Sequence, residues 1–264
     1  MQDLKITLIQ TPLHWQDKQA NISMLEEKIW EIEEETDLIV LPEMFNTGFS
    51  MEAEKMAEPM NLHTFKWMKQ MAAQKKAVVT GSYIVNDNGN FYNRLLWMQA
   101  NGEYQIYDKR HLFRMANEDE HYSAGQKELV VELKGWKIKP LVCYDLRFPV
   151  WCRNKSNEQN ELEYDLILFV ANWPAVRVNA WDTLLQARAI ENVSYSLGLN
   201  RIGNDGNGIP HNGHSALYGP KGNALYFADD REEIKTVSLS AKELIEFREK
   251  FPAQLDADGF EINN

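Results

Sequence analysis

The chain has 264 residues, of which 44% are apolar and 25% are charged. These fractions are typical of a folded globular protein and exclude a disordered or low-complexity chain. Its 39 acidic residues outnumber its 28 Lys and Arg residues, which gives a formal net charge of −11. Because nucleic acids and anionic membranes bind surfaces rich in Lys and Arg, this balance argues against both as partners.

The hydrophobic pattern predicts strands that alternate with helices, which is typical of an α/β fold. The predicted strands cover residues 6–9, 37–41, 77–85, 94–99, 103–107, 137–142, 165–170, 194–200, 214–218 and 234–239. The predicted helices cover residues 17–35, 62–76, 177–192 and a last segment that Ser240 caps and that runs through Phe247. For the helix over 177–192 we expect a buried face formed by Ala180, Leu184, Ala187 and Ile190.

The chain shows no linker rich in Pro, Gly or Ser, so we predict a single domain over residues 1–264. Residues 154–164 are expected to form a surface loop, and the acidic tail from about residue 252 an extended arm. Residues 37–41 and 165–169 resemble each other, each being an aspartate followed by four apolar residues. This similarity hints at two related halves.

Cysteine usage and terminal composition predict a cytoplasmic protein. The two cysteines, Cys143 and Cys152, are too few for a secreted fold that disulfides stabilise. The first residues mix acidic, basic and apolar types, unlike a signal peptide, and the longest apolar stretch, residues 166–170, is too short to span a bilayer. We interpret Cys152 as a packing residue.

Three polar residues each follow a predicted strand: Glu43, Lys109 and Cys143. In open α/β sheets, ligands bind beyond the carboxyl ends of the strands, so these side chains are expected to converge. Together they predict a thiol nucleophile, a carboxylate base that takes the thiol proton, and an ammonium that lowers the thiol pKa and binds an oxyanion. The backbone N–H of Tyr144, directly after the nucleophile, is a second candidate oxyanion donor.

The strings around these residues resemble a known family. Residues 41–49 (Leu-Pro-Glu-Met-Phe-Asn-Thr-Gly-Phe), 107–113 (Tyr-Asp-Lys-Arg-His-Leu-Phe) and 141–149 (Leu-Val-Cys-Tyr-Asp-Leu-Arg-Phe-Pro) are similar, in order, to the three signature segments of the nitrilase, or carbon–nitrogen hydrolase, superfamily. The resemblance covers about residues 6–239. It implies an α-β-β-α sandwich that commonly forms a homodimer or a higher homo-oligomer.

The resemblance also implies roles for individual residues. Glu43 matches the general base of the family, Lys109 its catalytic lysine and Cys143 its nucleophile. Neither a cofactor nor a metal is implied, and the expected partner is a small amide substrate.

Family enzymes carry a second glutamate at a fixed distance before a Pro-Gly pair. Counting back from Gly125 favours Glu118 over Glu120 for this position. Ala124 stands where the family has the proline, which loosens the register of this assignment.

One branch of the family fits best. Residues 43–50, 107–115 and 171–174 are similar to the bacterial omega-amidases, which hydrolyse the terminal amide of 2-oxoglutaramate and 2-oxosuccinamate through a cysteinyl thioester and release ammonia. The open alternatives are a generic aliphatic amidase, a nitrilase or an N-carbamoyl-amine amidohydrolase. Acyl transfer to an amine instead of to water also stays open.

A short 2-oxo acid requires a pocket with an apolar wall and one cation for its carboxylate. Phe49 and Trp173 are the candidates for the wall. The candidates for the cation are Arg114, Arg147 and Arg201. Arg147 has a second interpretation, which we favour from the sequence: it holds Asp145 and fixes the turn at Cys143.

Two rival interpretations come from other classes of protein. A papain-like enzyme would pair the thiol with one of four histidines, which are His111, His121, His211 and His214. A non-catalytic interaction protein on the same fold would not require the complete set of Glu43, Lys109 and Cys143. The intact set therefore argues against this second rival.

Overall fold

A computed structural model describes residues 1–262 of the chain. Its strands are β1 (Leu4–Gln10), β2 (Leu38–Val40), β3 (Glu58–Pro59), β4 (Val78–Asp87), β5 (Asn90–Met98), β6 (Tyr104–Asp108), β7 (Val131–Leu133), β8 (Trp136–Val142), β9 (Leu166–Ala171), β10 (Tyr195–Asn200), β11 (Ile202–Asn204), β12 (Pro210–Asn212), β13 (Ala216–Tyr218), β14 (Ala224–Phe227) and β15 (Glu233–Leu239). Its α-helices are α1 (Lys18–Trp30), α2 (Ala53–Met56), α3 (His63–Lys75), α4 (Glu118–His121), α5 (Pro149–Cys152), α6 (Val178–Glu191) and α7 (Ala241–Lys250).

Most of the strands form two sheets, and each sheet has three parallel strands at its centre. The first sheet has the order β15-β1-β2-β4-β5-β6, with β3 beside β4, and the second has the order β14-β13-β10-β9-β8-β7. In the first sheet β1, β2 and β4 run parallel, and in the second β8, β9 and β10 do. Apart from the short β3, which pairs parallel with β4, the outer strands pair antiparallel. Each sheet therefore carries a parallel core whose carboxyl ends share one edge.

The two sheets pack face to face, with helices on both outer sides. Along β2 the side chains alternate: Leu38 and Val40 belong to the core shared with the second sheet. Ile39 packs in a separate core with α1 and α3. On the other side, α6 lies against β10 and β13. The resulting α-β-β-α sandwich confirms the predicted fold class.

The two aspartates of the similar segments occupy equivalent positions in the two sheets. Asp37 accepts the backbone N–H of Lys5, and Asp165 accepts that of Lys137, each at 2.9 Å. Each aspartate also donates its own N–H to the carbonyl of the same lysine. The two parallel cores are therefore built alike around β2 and β9, which supports the inference of two related halves.

The predicted helices exist, with two differences in detail. Helix α1 ends at Trp30, before the run Glu33–Glu35, because consecutive glutamates are unfavourable at the negative end of a helix dipole. The predicted buried face of α6 is wrong by one position. The helix instead buries Trp181, Leu185, Arg188 and Ala189.

The C-terminal helix begins as expected, with the Ser240 hydroxyl accepting the backbone N–H of Glu243. Beyond it the tail forms a short 3-10 helix over Ala253–Asp256, and Ile262 packs against the main core. Within residues 1–262, no helix is both long and apolar enough to cross a membrane. That residues 1–264 form one domain stays a prediction.

Gly198 of β10 sets how closely α6 approaches the second sheet. A Cβ at this position would lie 2.5 Å from Leu185 Cδ1 and 2.6 Å from Trp181 Cζ2. Overpacking of this kind costs about 1–3 kcal/mol. We therefore expect Gly198→Ala to lower the thermal midpoint by about 2–10 °C in a calorimetric scan.

The matched control is Gly259→Ala, since a Cβ there meets no atom within 4 Å. It should change stability by less than about 0.5 kcal/mol. A Gly198→Ala protein as stable as this control would show that α6 has room to move away from the sheet.

Candidate active site

Four chain segments meet where strands of the two sheets end. Glu43 lies two residues beyond the Leu41 that follows β2, Lys109 directly follows β6, Cys143 directly follows β8 and Asn172 directly follows β9. The structure brings the side chains of Glu43, Lys109 and Cys143 into one cluster, as their positions after strands predict.

The Glu43 carboxylate is fully buried and held on both oxygens. Its Oε1 accepts from Lys109 Nζ at 2.9 Å and from Asn93 Nδ2 at 2.8 Å. Its Oε2 accepts from the backbone N–H of Asn172 at 2.8 Å, and the Asn172 side chain donates to the Glu43 carbonyl. The carboxylate is thereby fixed across both sheets.

The Lys109 ammonium lies between two buried carboxylates. Its Nζ donates to Glu43 and to both oxygens of Glu118, at 3.0 and 2.9 Å. Burial acts to lower the pKa of Lys109, but the two carboxylates outweigh it, and the pKa is raised. The lysine therefore stays protonated.

Glu118, at the start of α4, is the second carboxylate, and Glu120 is exposed. The Glu118 Oε2 also accepts the backbone N–H of Phe113 at 2.6 Å. Burial raises the pKa of Glu118, against the opposing effect of Lys109. Counting back from Gly125 thus selected the glutamate that contacts the lysine, although Ala124 replaces the expected proline.

Cys143 has an unusual backbone conformation and a protonated thiol. Its φ of 46° lies in the left-handed region, which is strained for a residue other than glycine. Burial, and then the Glu43 carboxylate, raise the pKa of the thiol, and Lys109 offsets this only in part. The sequence predicted a lowered pKa from the ammonium alone. In the resting site, the neighbouring carboxylates and burial prevail.

The turn at Cys143 is fixed by Asp145. Its buried carboxylate accepts from the backbone N–H of Val142 at 3.1 Å, the Tyr107 hydroxyl at 2.7 Å and the backbone N–H of His111 at 3.0 Å. These contacts join the segment that carries Lys109 to the segment that carries Cys143. Arg147 is absent from the hydrogen bonds and ion pairs found for Asp145 in residues 1–262, so our favoured structural role for it is not supported.

A pocket of about 410 Å³ opens onto the cluster. Its lining includes Cys143, Lys109, Phe49, Trp173 and Arg147. Phe49, Trp173 and Arg147 are three of the five candidate substrate-binding residues. The volume lies in the range of sites for small molecules.

The two other candidate arginines lie elsewhere. Arg114 is 83% exposed and pairs with Asp119. Arg201 is buried, donates to the carbonyls of Ile202 and Asn204, and has its pKa lowered by burial to about 10. Neither belongs to the pocket lining, and the structure therefore favours Arg147 over both.

The histidines do not form a Cys–His pair. The structure places His111 against Asp145 and His214 against Asp182, and leaves His121 exposed. His211 does line the pocket, but burial lowers its pKa to about 4, so it is neutral. The charged groups with the largest effect on the Cys143 thiol are Glu43, Lys109 and Glu118.

Cys152 lies in α5, and burial raises the pKa of its thiol to about 12. Its Sγ lies 3.3 Å from the Asp145 carbonyl oxygen. These contacts fit its interpretation as a packing residue. No group of three or more His, Cys, Asp or Glu side chains in the described part of the chain is placed to hold a metal ion.

Sequence reasoning missed three residues of the site. Asn93 and Asn172 hold Glu43 from opposite sides, and Arg177 lines the pocket. Asn172 belongs to residues 171–174, a string that carried the family resemblance. This string was the one feature of the sequence that could have identified Asn172 as a site residue. Nothing in the sequence marked Asn93 or Arg177.

Comparison with known proteins places the chain in one family. The family model of the carbon–nitrogen hydrolases matches residues 5–249. The chain is 46% identical over 263 residues to the omega-amidase YafV of Escherichia coli (strain K12), which covers 99% of this chain and all of that protein. It is 31% identical over 254 residues to the 2-oxoglutaramate amidase of Bacillus subtilis (strain 168), covering 94% of this chain and 95% of the relative.

A solved structure agrees with these relatives. XC1258 from Xanthomonas campestris, described as a CN-hydrolase superfamily protein with an arsenic adduct in its active site, superimposes with a TM-score of 0.97. It is 44% identical, and the alignment covers all of both chains. The chain therefore belongs to the carbon–nitrogen hydrolase family, and it is a hydrolase that acts on the carbon–nitrogen bonds of amides.

Proposed function

We propose that the protein is an omega-amidase, which hydrolyses the terminal amide of short 2-oxo acid monoamides such as 2-oxoglutaramate and 2-oxosuccinamate. The observation that carries this proposal is the buried cluster of Glu43, Lys109 and Glu118 beside the Cys143 thiol, at the base of a small pocket. The similar proteins from E. coli and B. subtilis carry the same activity in their names.

The charges of the cluster favour proton transfer from the thiol to Glu43. With both carboxylates ionised and Lys109 protonated, the cluster carries one net negative charge. A free thiolate would add a second charge in a buried site, which is costly. When Cys143 Sγ attacks the amide carbon, transfer of its proton to Glu43 keeps the total charge of the site constant, because the negative charge that Glu43 loses appears on the substrate oxygen.

Two donors are proposed to bind that oxygen. The Lys109 ammonium is one, and the backbone N–H of Tyr144 is the other. Tyr144 lies in the first turn of the 3-10 helix Cys143–Arg147, where N–H groups lack acceptors within the helix. Donors that are fixed before the reaction need no reorganisation when the charge develops.

The remaining steps restore the starting protonation of Glu43 and Cys143. The tetrahedral intermediate expels ammonia as the C–N bond breaks and Glu43 gives up its proton, leaving a thioester on Cys143. Glu43 then takes a proton from water, which attacks the thioester carbon. The C–S bond breaks, Cys143 regains its proton and the free acid leaves. Water as the acyl acceptor is part of the proposal.

A substrate panel tests the proposal against its alternatives. We expect kcat/KM for 2-oxoglutaramate to exceed that for butyramide and butyronitrile by at least about 30-fold, because a buried partner for a carboxylate contributes about 2–5 kcal/mol. The measurement is steady-state ammonia release, with an N-carbamoyl amine included in the panel. If butyramide or butyronitrile matches 2-oxoglutaramate, the protein is a generic amidase or a nitrilase.

Glu118 is proposed to keep Lys109 charged and in place. We expect Glu118→Gln to lower kcat by about 10²-fold or more, the scale of losing one oxyanion donor, because the buried lysine loses half of its countercharge. Glu120→Gln is the matched control, since Glu120 lies two residues away and is exposed. Parallel kcat measurements on both variants that gave the reverse ranking would remove Glu118 from the site.

We also propose that the protein is a homodimer. Two strongly exposed apolar side chains, Met115 (79%) and Val176 (80%), adjoin residues of the pocket rim. Arg177, next to Val176, lies over the ring of Phe113, so the two segments that carry these apolar side chains lie close together. Covering them with a second copy would remove apolar surface from water.

Sedimentation equilibrium tests the dimer directly. The expected result is twice the mass of one chain, and a shift toward one chain in the Val176→Glu variant. A wild-type protein with the mass of a single chain would contradict the dimer. The cytoplasmic location stays a prediction.

A further inference from the structure

Two arginines line the pocket. Arg147 ends the 3-10 helix that begins at Cys143, and Arg177 ends a second 3-10 helix, Ala175–Arg177, which follows β9. Both line the pocket together with Cys143 and Tyr144. They are close enough that the charge of Arg147, after burial, contributes to lowering the pKa of Arg177.

Each guanidinium is held against an aromatic ring. The Cζ of Arg147 lies 5.0 Å from the ring centroid of Trp173, and the Cζ of Arg177 lies 5.0 Å from that of Phe113. The Trp173 indole N–H donates to the carbonyl of Arg177 at 2.9 Å. Stacking restrains the plane of a guanidinium and leaves its N–H edges available for a ligand.

Neither arginine has an acidic partner within 4.0 Å among residues 1–262. The acidic residues of the pocket lining are engaged elsewhere: Glu52 pairs with Lys55, and Asp205 accepts the backbone N–H groups of Asn207 and Ile209. Two adjacent guanidiniums without a counterion repel each other and cannot discharge, since arginine stays protonated. An anionic ligand would relieve that repulsion.

We propose that Arg147 and Arg177 together bind the carboxylate and the adjacent 2-oxo group of the substrate. Both groups accept hydrogen bonds, and a guanidinium presents parallel N–H groups that match a carboxylate. An amino acid with a terminal amide, such as glutamine, has an ammonium at the position of the 2-oxo group, and two guanidiniums would repel that ammonium. The pair thus selects 2-oxo acids against amino acids. This inference rests on the proposed omega-amidase function.

Kinetics on charged and neutral substrates test the assignment. For Arg147→Met and Arg177→Met, we expect kcat/KM with 2-oxoglutaramate to fall by about 30-fold or more, mainly through KM. With pentanamide, a neutral amide of the same chain length, the loss should stay near about twofold. Arg231→Met is the matched control, because Arg231 is 80% exposed and pairs with Asp229 outside the pocket lining.

Glutamine gives an independent readout. The wild-type preference for 2-oxoglutaramate over glutamine should shrink in Arg177→Met, because the variant loses an attraction for one substrate and a repulsion for the other. An unchanged preference, or equal losses with 2-oxoglutaramate and pentanamide, would overturn the arginine assignment alone. A wild-type protein that does not hydrolyse 2-oxoglutaramate would contradict the proposed function and this inference together.

Discussion

The structure depends on a buried lysine held between two buried carboxylates. Lys109, Glu43 and Glu118 all lie away from solvent, and each is hydrogen-bonded to at least one of the others. Removing one member of such a group leaves an uncompensated buried charge, which typically costs about 3–5 kcal/mol. The segments after β2 and β6 and helix α4 must therefore meet at fixed distances, and the pocket is built around that requirement.

The similarity between the two sheets explains how these segments meet. Asp37 and Asp165 directly precede equivalent strands in the two sheets, and the chain leaves those strands toward Glu43 and Asn172. The backbone of Asn172 then donates to the Glu43 carboxylate across 129 residues of sequence. One sheet thus supplies the proposed base and the other orients it, so the proposed chemistry lies where the two sheets meet.

The cluster that we propose as catalytic could be predicted, because each of its residues lies in a short and recognisable stretch of sequence. Glu43, Lys109 and Cys143 each follow an apolar strand within a characteristic string, and Glu118 could be found by counting from Gly125. A single sequence is enough to recognise these features, because a strand end or a short motif spans only a few residues.

The other features of the fold and of the site could not be predicted, because they depend on contacts between segments that are far apart in the chain. The spacing of apolar residues along α6 is compatible with more than one buried face. In the structure Trp181 and Leu185 pack closely on Gly198 of β10, and this contact determines which face is buried. Asn93 and Arg177 gave no signal, since each acts on a group far away in the chain. The preference for Arg147 as a structural partner of Asp145 failed because Tyr107 and His111 take that place.

The central claim is that Cys143, activated by a buried carboxylate cluster, carries the acyl group of a 2-oxo acid. The most direct measurement is mass spectrometry of the protein after rapid acid quenching during turnover of 2-oxoglutaramate, followed by digestion to locate the modified peptide. The account predicts an adduct on Cys143 with the mass of the substrate less ammonia, and an unmodified Cys152. Rapid ammonia release without any adduct on Cys143, or an adduct on another residue, would contradict it.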